Sequence, residues 1–179
     1  TITADIVAYD IPQALEQVPG LQRGAYAEIV DAIGILGGGD SIELTSDAKE
    51  LAGCDVIIFT AGRPRTADMD RIDLVSVNVK IVGPLCETLG QVAPEAFMIM
   101  VTNPLDIMVE LAHRKLGFAD NMIVGQAGVL DTGRLRYQAS AHTGVPCSQI
   151  SALVLGGHGP TMVPCFSQCQ VAHKPLTEW

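Results

Sequence analysis

"FMIMVTN" (residues 97–103) passes directly into "PLDIMVELAHRKLG" (residues 104–117), and the reading of this junction decides the fold. The first stretch is a short apolar run ending in Thr and Asn, as in a strand buried on both faces. The second spaces its apolar residues at helical intervals and closes on a glycine, so a helix follows the strand at once. The same pattern extends in both directions. "DIVAYD" (5–10), "SIELT" (41–45), "DVIIFTAG" (55–62) and "MIVGQAG" (122–128) read as further buried strands, and "DLVSVNVKIVGPLCETLGQV" (73–92) and "LDTGRLRYQASAHTG" (130–144) as helices. Strands alternating with helices predict an α/β fold, in which a parallel sheet is covered by its crossover helices. Pro84 lies inside the helix over 73–92 and is expected to kink or split it.

Composition narrows the classes of function. The chain of 179 residues is 48% hydrophobic, 4% aromatic and has 18 glycines, which suits aliphatic packing with many tight strand-to-helix turns. A net charge of -9 excludes nucleic acid and anionic membrane as natural partners, because both would be repelled. Five cysteines, an odd number scattered through apolar segments, predict reduced thiols and a cytoplasmic protein. No apolar run reaches the roughly 18 residues of a membrane span.

In an open α/β sheet the ligand sits beyond the carboxyl ends of the strands, where this chain carries Asp10, Thr60, Gly62, Asn103 and Gly125. Asp10 can accept hydrogen bonds from both ribose hydroxyls of an adenosine and would repel a 2′-phosphate, which favours NAD over NADP; read alone, it is an ordinary turn aspartate. "AGRPRTADMDR" (61–71) sets Arg65 and Arg71 six apart on a polar loop. Two guanidinium groups suit a substrate with more than one anionic or polarised oxygen, although spacing alone equally describes a solvated loop. In "VLDTGRLR" (129–136), Asp131 and Arg134 are three apart on a helix and share a face, as a pocket pair or a surface ion pair. "LGGHGPTMVP" (155–164) places a single histidine, His158, on a turn of glycines.

Taken together and in order, "TAGRPR…MDRIDLVSVN", "VTNPLDIM", "GQAGVLDTGRLR" and "GGHG…MVP" resemble the NAD-dependent lactate/malate dehydrogenase family, from Asp5 to Pro164. The resemblance implies a Rossmann-type doubly wound parallel sheet over 1–128 and the beginning of a substrate domain over 129–179. It makes His158 the catalytic acid/base and Asp131 its partner. Arg134 is similar to the clamp for the carboxylate beside the reacting carbon, and Arg71 to the arginine that polarises the substrate carbonyl. Arg65 stands at the specificity position, where arginine implies a second substrate carboxylate and glutamine would imply lactate. Asn103 becomes a cofactor and substrate contact, and Asp10 and Asn78 cofactor contacts. The implied reaction interconverts malate and oxaloacetate with NAD. The implied partners are a small dicarboxylate and further copies of the chain, with neither nucleic acid nor membrane. An imidazole titrates near neutrality and can hand over the proton that hydride transfer requires, while a neighbouring carboxylate fixes its tautomer.

The departures set further expectations. Pro160 stands where relatives carry an aspartate, removing a carboxylate and a backbone N–H, so an altered neighbourhood for His158 is expected. "RTADMDR" (65–71) replaces the Lys-Pro-Gly that follows the first arginine in relatives. A dinucleotide cradle requires G-x-G-x-x-G about 20 residues before the ribose acid, yet nine residues precede Asp10. "GILGGGDS" (34–41) precedes a strand and reads as a turn. The expectation is therefore an internal fragment whose sheet lacks its first, central strand and which binds NADH weakly when isolated. "CFSQCQVAH" (165–173) offers Cys165, Cys169 and His173, one ligand short of a closed zinc site; the resemblance predicts a strand there, and no metal is expected. Two alternatives stay open beside malate: lactate or another 2-hydroxy acid as substrate, and a non-catalytic relative or interaction fragment.

Overall fold

The computed structural model describes residues 5–10 and 41–179, and the side chains of Ser41 and Arg71 lie outside that description. The segment 34–40 is likewise outside the described residues, and so is most of the glycine-rich turn read there. Strands β1 (Asp5–Tyr9) and β2 (Ser41–Thr45) pair in parallel, with Asp5 opposite Ser41 and Tyr9 opposite Thr45. Strands β3 (Val56–Phe59), β4 (Phe97–Met100) and β5 (Ile123–Gly125) form a second parallel group in the order β3-β4-β5. Among the described residues no strand joins the two groups. The strands follow the apolar runs of the sequence, and their parallel pairing follows from the helices that connect them.

Helices α1 (Arg71–Val92), α2 (Leu105–Leu116) and α3 (Gly128–Thr143) complete the βα pattern. A reciprocal capping box starts α1: the Asp73 N–H donates to Asp70 Oδ1 at 2.7 Å, and the Asp70 N–H donates to Asp73 Oδ2 at 3.1 Å. Glycines in the left-handed conformation, Gly117 and Gly144, end α2 and α3. Pro84 does not split α1, which runs unbroken from Arg71 to Val92. The residue before it is Gly83, which has no Cβ to collide with the proline ring, so the helical conformation is retained there.

Register explains the core. Ile57, Met98 and Ile123 stand side by side on one face of the β3-β4-β5 sheet, with Phe59 beside Met100 one pleat further on. This face packs on Val82, Cys86 and Leu89 of α1 and on Leu105, Met108, Ala112 and Leu116 of α2. Met98, Met100 and Met108 are fully enclosed, and unbranched methionines suit the irregular gap between twisted strands and crossing helices. Burial pushes the Cys86 thiol up to about 12, with the Glu87 carboxylate adding to the effect. The opposite face is open: Val56, Val124 and, at 65%, Ile58 are exposed.

Beyond α3 the chain forms short antiparallel elements. β6 (Ile150–Ser151), β9 (Gln170–Val171) and β10 (Lys174–Pro175) make one small sheet, and β7 (Val154–Gly156) with β8 (Met162–Pro164) makes a hairpin. The strand expected over 165–173 is instead a 3-10 turn, Phe166–Gln168, followed by the two-residue β9. The Cys169 thiol donates to the Cys165 carbonyl at 3.3 Å, a local closure that bends the chain away from extended geometry.

Helices α1 and α2 approach most tightly at Gly90, where a Cβ would lie 2.8 Å from the Leu116 carbonyl oxygen. Alanine at this position gains about 1 kcal/mol of helix propensity. It loses about 1–3 kcal/mol to overpacking against backbone that has no rotamer to yield. Gly90→Ala is therefore expected to lower the midpoint of a thermal melt followed by circular dichroism by a few degrees, and a rise would show that the helices separate freely.

Candidate functional site

The β7–β8 hairpin carries His158 on its loop, and the loop's own bonds account for the proline. The Gly159 N–H donates to the Gly157 carbonyl at 2.9 Å, and the Met162 N–H donates to the Gly159 carbonyl at 3.1 Å. Pro160 thus occupies the second position of a turn from Gly159 to Met162, where its fixed φ is favourable and no N–H is needed. The proline shapes the hairpin without displacing the histidine from its partner.

That partner is Asp131. His158 Nδ1 lies 2.8 Å from Asp131 Oδ2, across 27 residues of sequence. Asp131 is 6% exposed and His158 19%, so the pair is shielded but reachable from one side. With the carboxylate ionised, Nδ1 carries the proton it donates, which leaves Nε2 for exchange with a ligand. The other carboxylate oxygen, Oδ1, faces Arg134 Nη1 at 3.4 Å, and the guanidinium remains largely exposed. Asp131 and Arg134 therefore share a helix face, and that face meets the histidine. Thr132, between them, accepts the Val154 N–H at 3.0 Å and anchors β7 to α3.

A cavity of about 250 Å³ opens beside the pair, lined by His158, Gly156, Gly128, Gly125 and Asp106 among others. Its walls come from the carboxyl end of β5 and the starts of α2 and α3, where ligands of α/β sheets collect. A larger groove, about 370 Å³, runs along α3 between Val129 and Gln138; Arg134 lines this groove, and His158 lines the smaller cavity.

The carboxyl ends of β3 and β4 are tied by buried polar groups. Asn78, fully enclosed on α1, accepts the Arg63 N–H at 2.8 Å and donates to the Asn103 carbonyl at 2.6 Å and the Arg63 carbonyl at 3.2 Å. The Thr102 hydroxyl donates to the Ala61 carbonyl at 2.7 Å. Asn78 thus spends its amide on the backbone beneath the site, and Asn103 next to it presents an exposed side chain. Arg65 lies on the exposed loop that leaves β3, its Nε donating to the Met69 carbonyl at 3.1 Å. In the same loop, a hydrogen bond from the Thr66 hydroxyl, with backbone help, holds the Asp68 carboxyl below its usual range. Arg71 is the first residue of α1. Asp10 follows β1, its N–H donating to the Thr45 carbonyl at 3.1 Å.

The structure thus brings His158, Asp131 and Arg134 together, and Asn78 with Asn103. Arg65 lies midway along the loop between β3 and α1, and Arg71 is the first residue of α1. For a nicotinamide dinucleotide, an acid closing β1 and an exposed carboxamide after β4 fit the ribose and nicotinamide ends; Asn78 fits as a support, since its side chain is enclosed. Among the described residues no group of three or more His, Cys, Asp or Glu is arranged to hold a metal, and no helix is long and apolar enough to cross a membrane. Sequence reasoning missed Asp106, Thr102 and Thr132. Asp106 had a legible signal, being an acid in the first turn of a helix that starts at a strand's carboxyl end.

A parallel βα framework with a shielded His–Asp pair at its carboxyl edge defines a Rossmann-like α/β fold. Residues 1–125 match the NAD binding domain of lactate/malate dehydrogenase, and residues 128–179 match the alpha/beta C-terminal domain of the same family. The chain belongs to the lactate/malate dehydrogenase family. It is 42% identical over 174 residues to malate dehydrogenase of Myxococcus xanthus, and 42% identical over 174 residues to that of Rhodopirellula baltica. Each alignment covers 97% of this chain and 54% of the relative, so the chain spans about half the length of the curated relatives it matches. Among solved structures, malate dehydrogenase of Cryptosporidium parvum superposes with a TM-score of 0.85 at 37% identity, covering 97% of this chain and 54% of that one. Lactate dehydrogenase of the same organism, complexed with lactic acid and NAD, gives 0.83 at 36%, covering 97% and 53%. Backbone shape therefore does not separate the two substrates.

The Asn78 cluster yields a prediction. Asn78→Ala leaves the Arg63 amide and the part-buried carbonyls of Arg63 and Asn103 short of a partner, at a cost of about 1–3 kcal/mol. Amide hydrogen exchange at Arg63 is expected to quicken at least about tenfold, in line with that loss. Unchanged protection at Arg63 would show that the loop is held by other contacts.

Proposed function

We propose that this chain carries the acid/base and substrate-clamping residues of an NAD-dependent malate dehydrogenase, interconverting malate and oxaloacetate. The observation that supports it is the 2.8 Å contact between His158 Nδ1 and the buried Asp131 carboxylate, with Arg134 on the same carboxylate. When bound, the reduced nicotinamide supplies the hydride that reaches the carbonyl carbon. His158 Nε2 gives its proton to the carbonyl oxygen, which becomes the malate hydroxyl, and takes it back in the reverse direction. Asp131 keeps the imidazole in the required tautomer. Arg134 holds the carboxylate next to the reacting carbon, and Arg71 draws electron density toward the carbonyl oxygen. Asn103 contacts nicotinamide and substrate and Asp10 contacts the adenosine ribose, while Asn78 serves the cofactor indirectly by holding Asn103.

Arg65 is the residue on which the choice of malate over lactate rests. Its guanidinium is tethered at one nitrogen to the Met69 carbonyl and otherwise exposed, which suits capture of a second carboxylate as the loop meets the substrate. On this reading the domain division falls at 128/129, in the first turn of α3, and the working protein is a homo-oligomer. Five free thiols support a reducing, cytoplasmic setting.

His158→Asn in the full-length protein removes the titrating group, and turnover of oxaloacetate is expected to fall at least about a hundredfold with NADH affinity nearly unchanged. Steady-state rates and an NADH fluorescence titration check both, and near-normal turnover would remove His158 from the reaction. Arg65→Gln leaves the far carboxylate without its cation, so the ratio of kcat/KM for oxaloacetate over pyruvate is expected to shrink or invert. An unchanged ratio would show that Arg65 remains in solvent throughout catalysis.

A further inference from the structure

We infer that Asp106 is a positioning residue for His158, a second carboxylate that fixes the histidine's backbone as Asp131 fixes its ring; the inference rests on the acid/base reading of His158 given above. The His158 N–H donates to Asp106 Oδ2 at 3.1 Å, although 52 residues separate the two. Asp106 lies in the first turn of α2, three residues after Asn103, and it lines the cavity beside the imidazole.

A single bond to Nδ1 orients an imidazole but leaves the turn beneath it free to shift the whole side chain. The loop's own bonds run from Gly159 to Gly157 and from Met162 to Gly159, so they skip the His158 amide. Pro160 contributes no N–H and no carboxylate, which leaves the turn with fewer anchors of its own. The anchor comes from another helix. Gly157 makes the approach possible, because a Cβ there would lie 3.3 Å from Asp106 Oδ2 and 2.6 Å from the Thr161 hydroxyl oxygen. A charge-assisted bond to an amide is stronger than a neutral one and more directional than packing, so it suits a group that must be held to within a fraction of an ångström.

The same helix start follows Asn103 and holds His158. The arrangement gives the proton donor a fixed place relative to the residue proposed to contact nicotinamide, and it bridges the segments that match the two family domains. Asp131 cannot substitute for it, since both of its oxygens already face His158 and Arg134.

The test uses Asp106→Ala and Asp106→Asn in the full-length protein, with His158→Asn beside them. Asp106 is exposed, so both variants are expected to melt within a few degrees of the parent. Asp106→Ala should lower kcat for oxaloacetate reduction about tenfold to a hundredfold, the scale of a misplaced catalytic group, with KM for NADH within about twofold. Asp106→Asn keeps an acceptor oxygen in the same place and should recover at least about half of the parent kcat, by the same hydrogen-bond argument. If Asp106→Ala turns over at the parent rate while His158→Asn is inactive, the positioning role is overturned and the acid/base reading stands. Equal impairment of the Asn and Ala variants also overturns it, since the bond would then not be what matters. Full activity in His158→Asn removes the acid/base reading and this inference with it.

Discussion

One enclosed carboxamide, that of Asn78, sets the geometry on which the carboxyl edge of the β3-β4-β5 sheet depends. Strand ends in a parallel sheet leave backbone groups pointing past the last rung of the ladder, and in a buried setting each needs a partner. Asn78 satisfies three of them at once, from a helix that the apolar core already holds against the sheet. Thr102 does the same for the Ala61 carbonyl. The loop bearing the arginines and the residue Asn103 therefore leave the sheet in directions that the core, rather than solvent, dictates.

The second half of the site is built on the same plan, with charged groups in place of neutral ones. α3 supplies Asp131 to the imidazole and Thr132 to β7, and α2 supplies Asp106 to the turn. Two of these contacts hold the five-residue hairpin loop through His158, and the third holds the strand that leads into it. Asp131 is shared, one oxygen to His158 and one to Arg134, so a ligand carboxylate arriving at Arg134 meets a cation that is already partly neutralised.

The framework was legible in the sequence because burial on two faces leaves continuous apolar runs, and amphipathic helices leave a period near 3.6. Among the described residues, the five parallel strands and the three long helices fall where those patterns put them. The spacing of Asp131 and Arg134 placed them on one helix face, but their meeting with His158 crosses 27 residues and came from family resemblance. Pro84 misled because its cost depends on the neighbour, and Gly83 removes part of it. Over 165–173 the resemblance predicted a strand where the chain makes a 3-10 turn and a two-residue strand, and elements that short carry no period of their own to set against it. Asn78 was named from the resemblance as a cofactor contact, but the backbone groups it holds lie 15 and 25 residues away, and that pairing leaves no mark in the sequence.

Cys86 gives the core a property of a different kind. Its thiol is fully enclosed between α1 and the sheet and is held almost wholly protonated at neutral pH, so a thiol reagent in solution finds neither access nor thiolate. Modification must wait for the helix to lift from the strands. The rate at which this sulfur is labelled then measures how often the core opens, a clock set by local unfolding and not by the reagent. Because α1 also carries Asn78, two turns away on the same helix, each opening counted at Cys86 is an interval in which the edge of the site has lost its support.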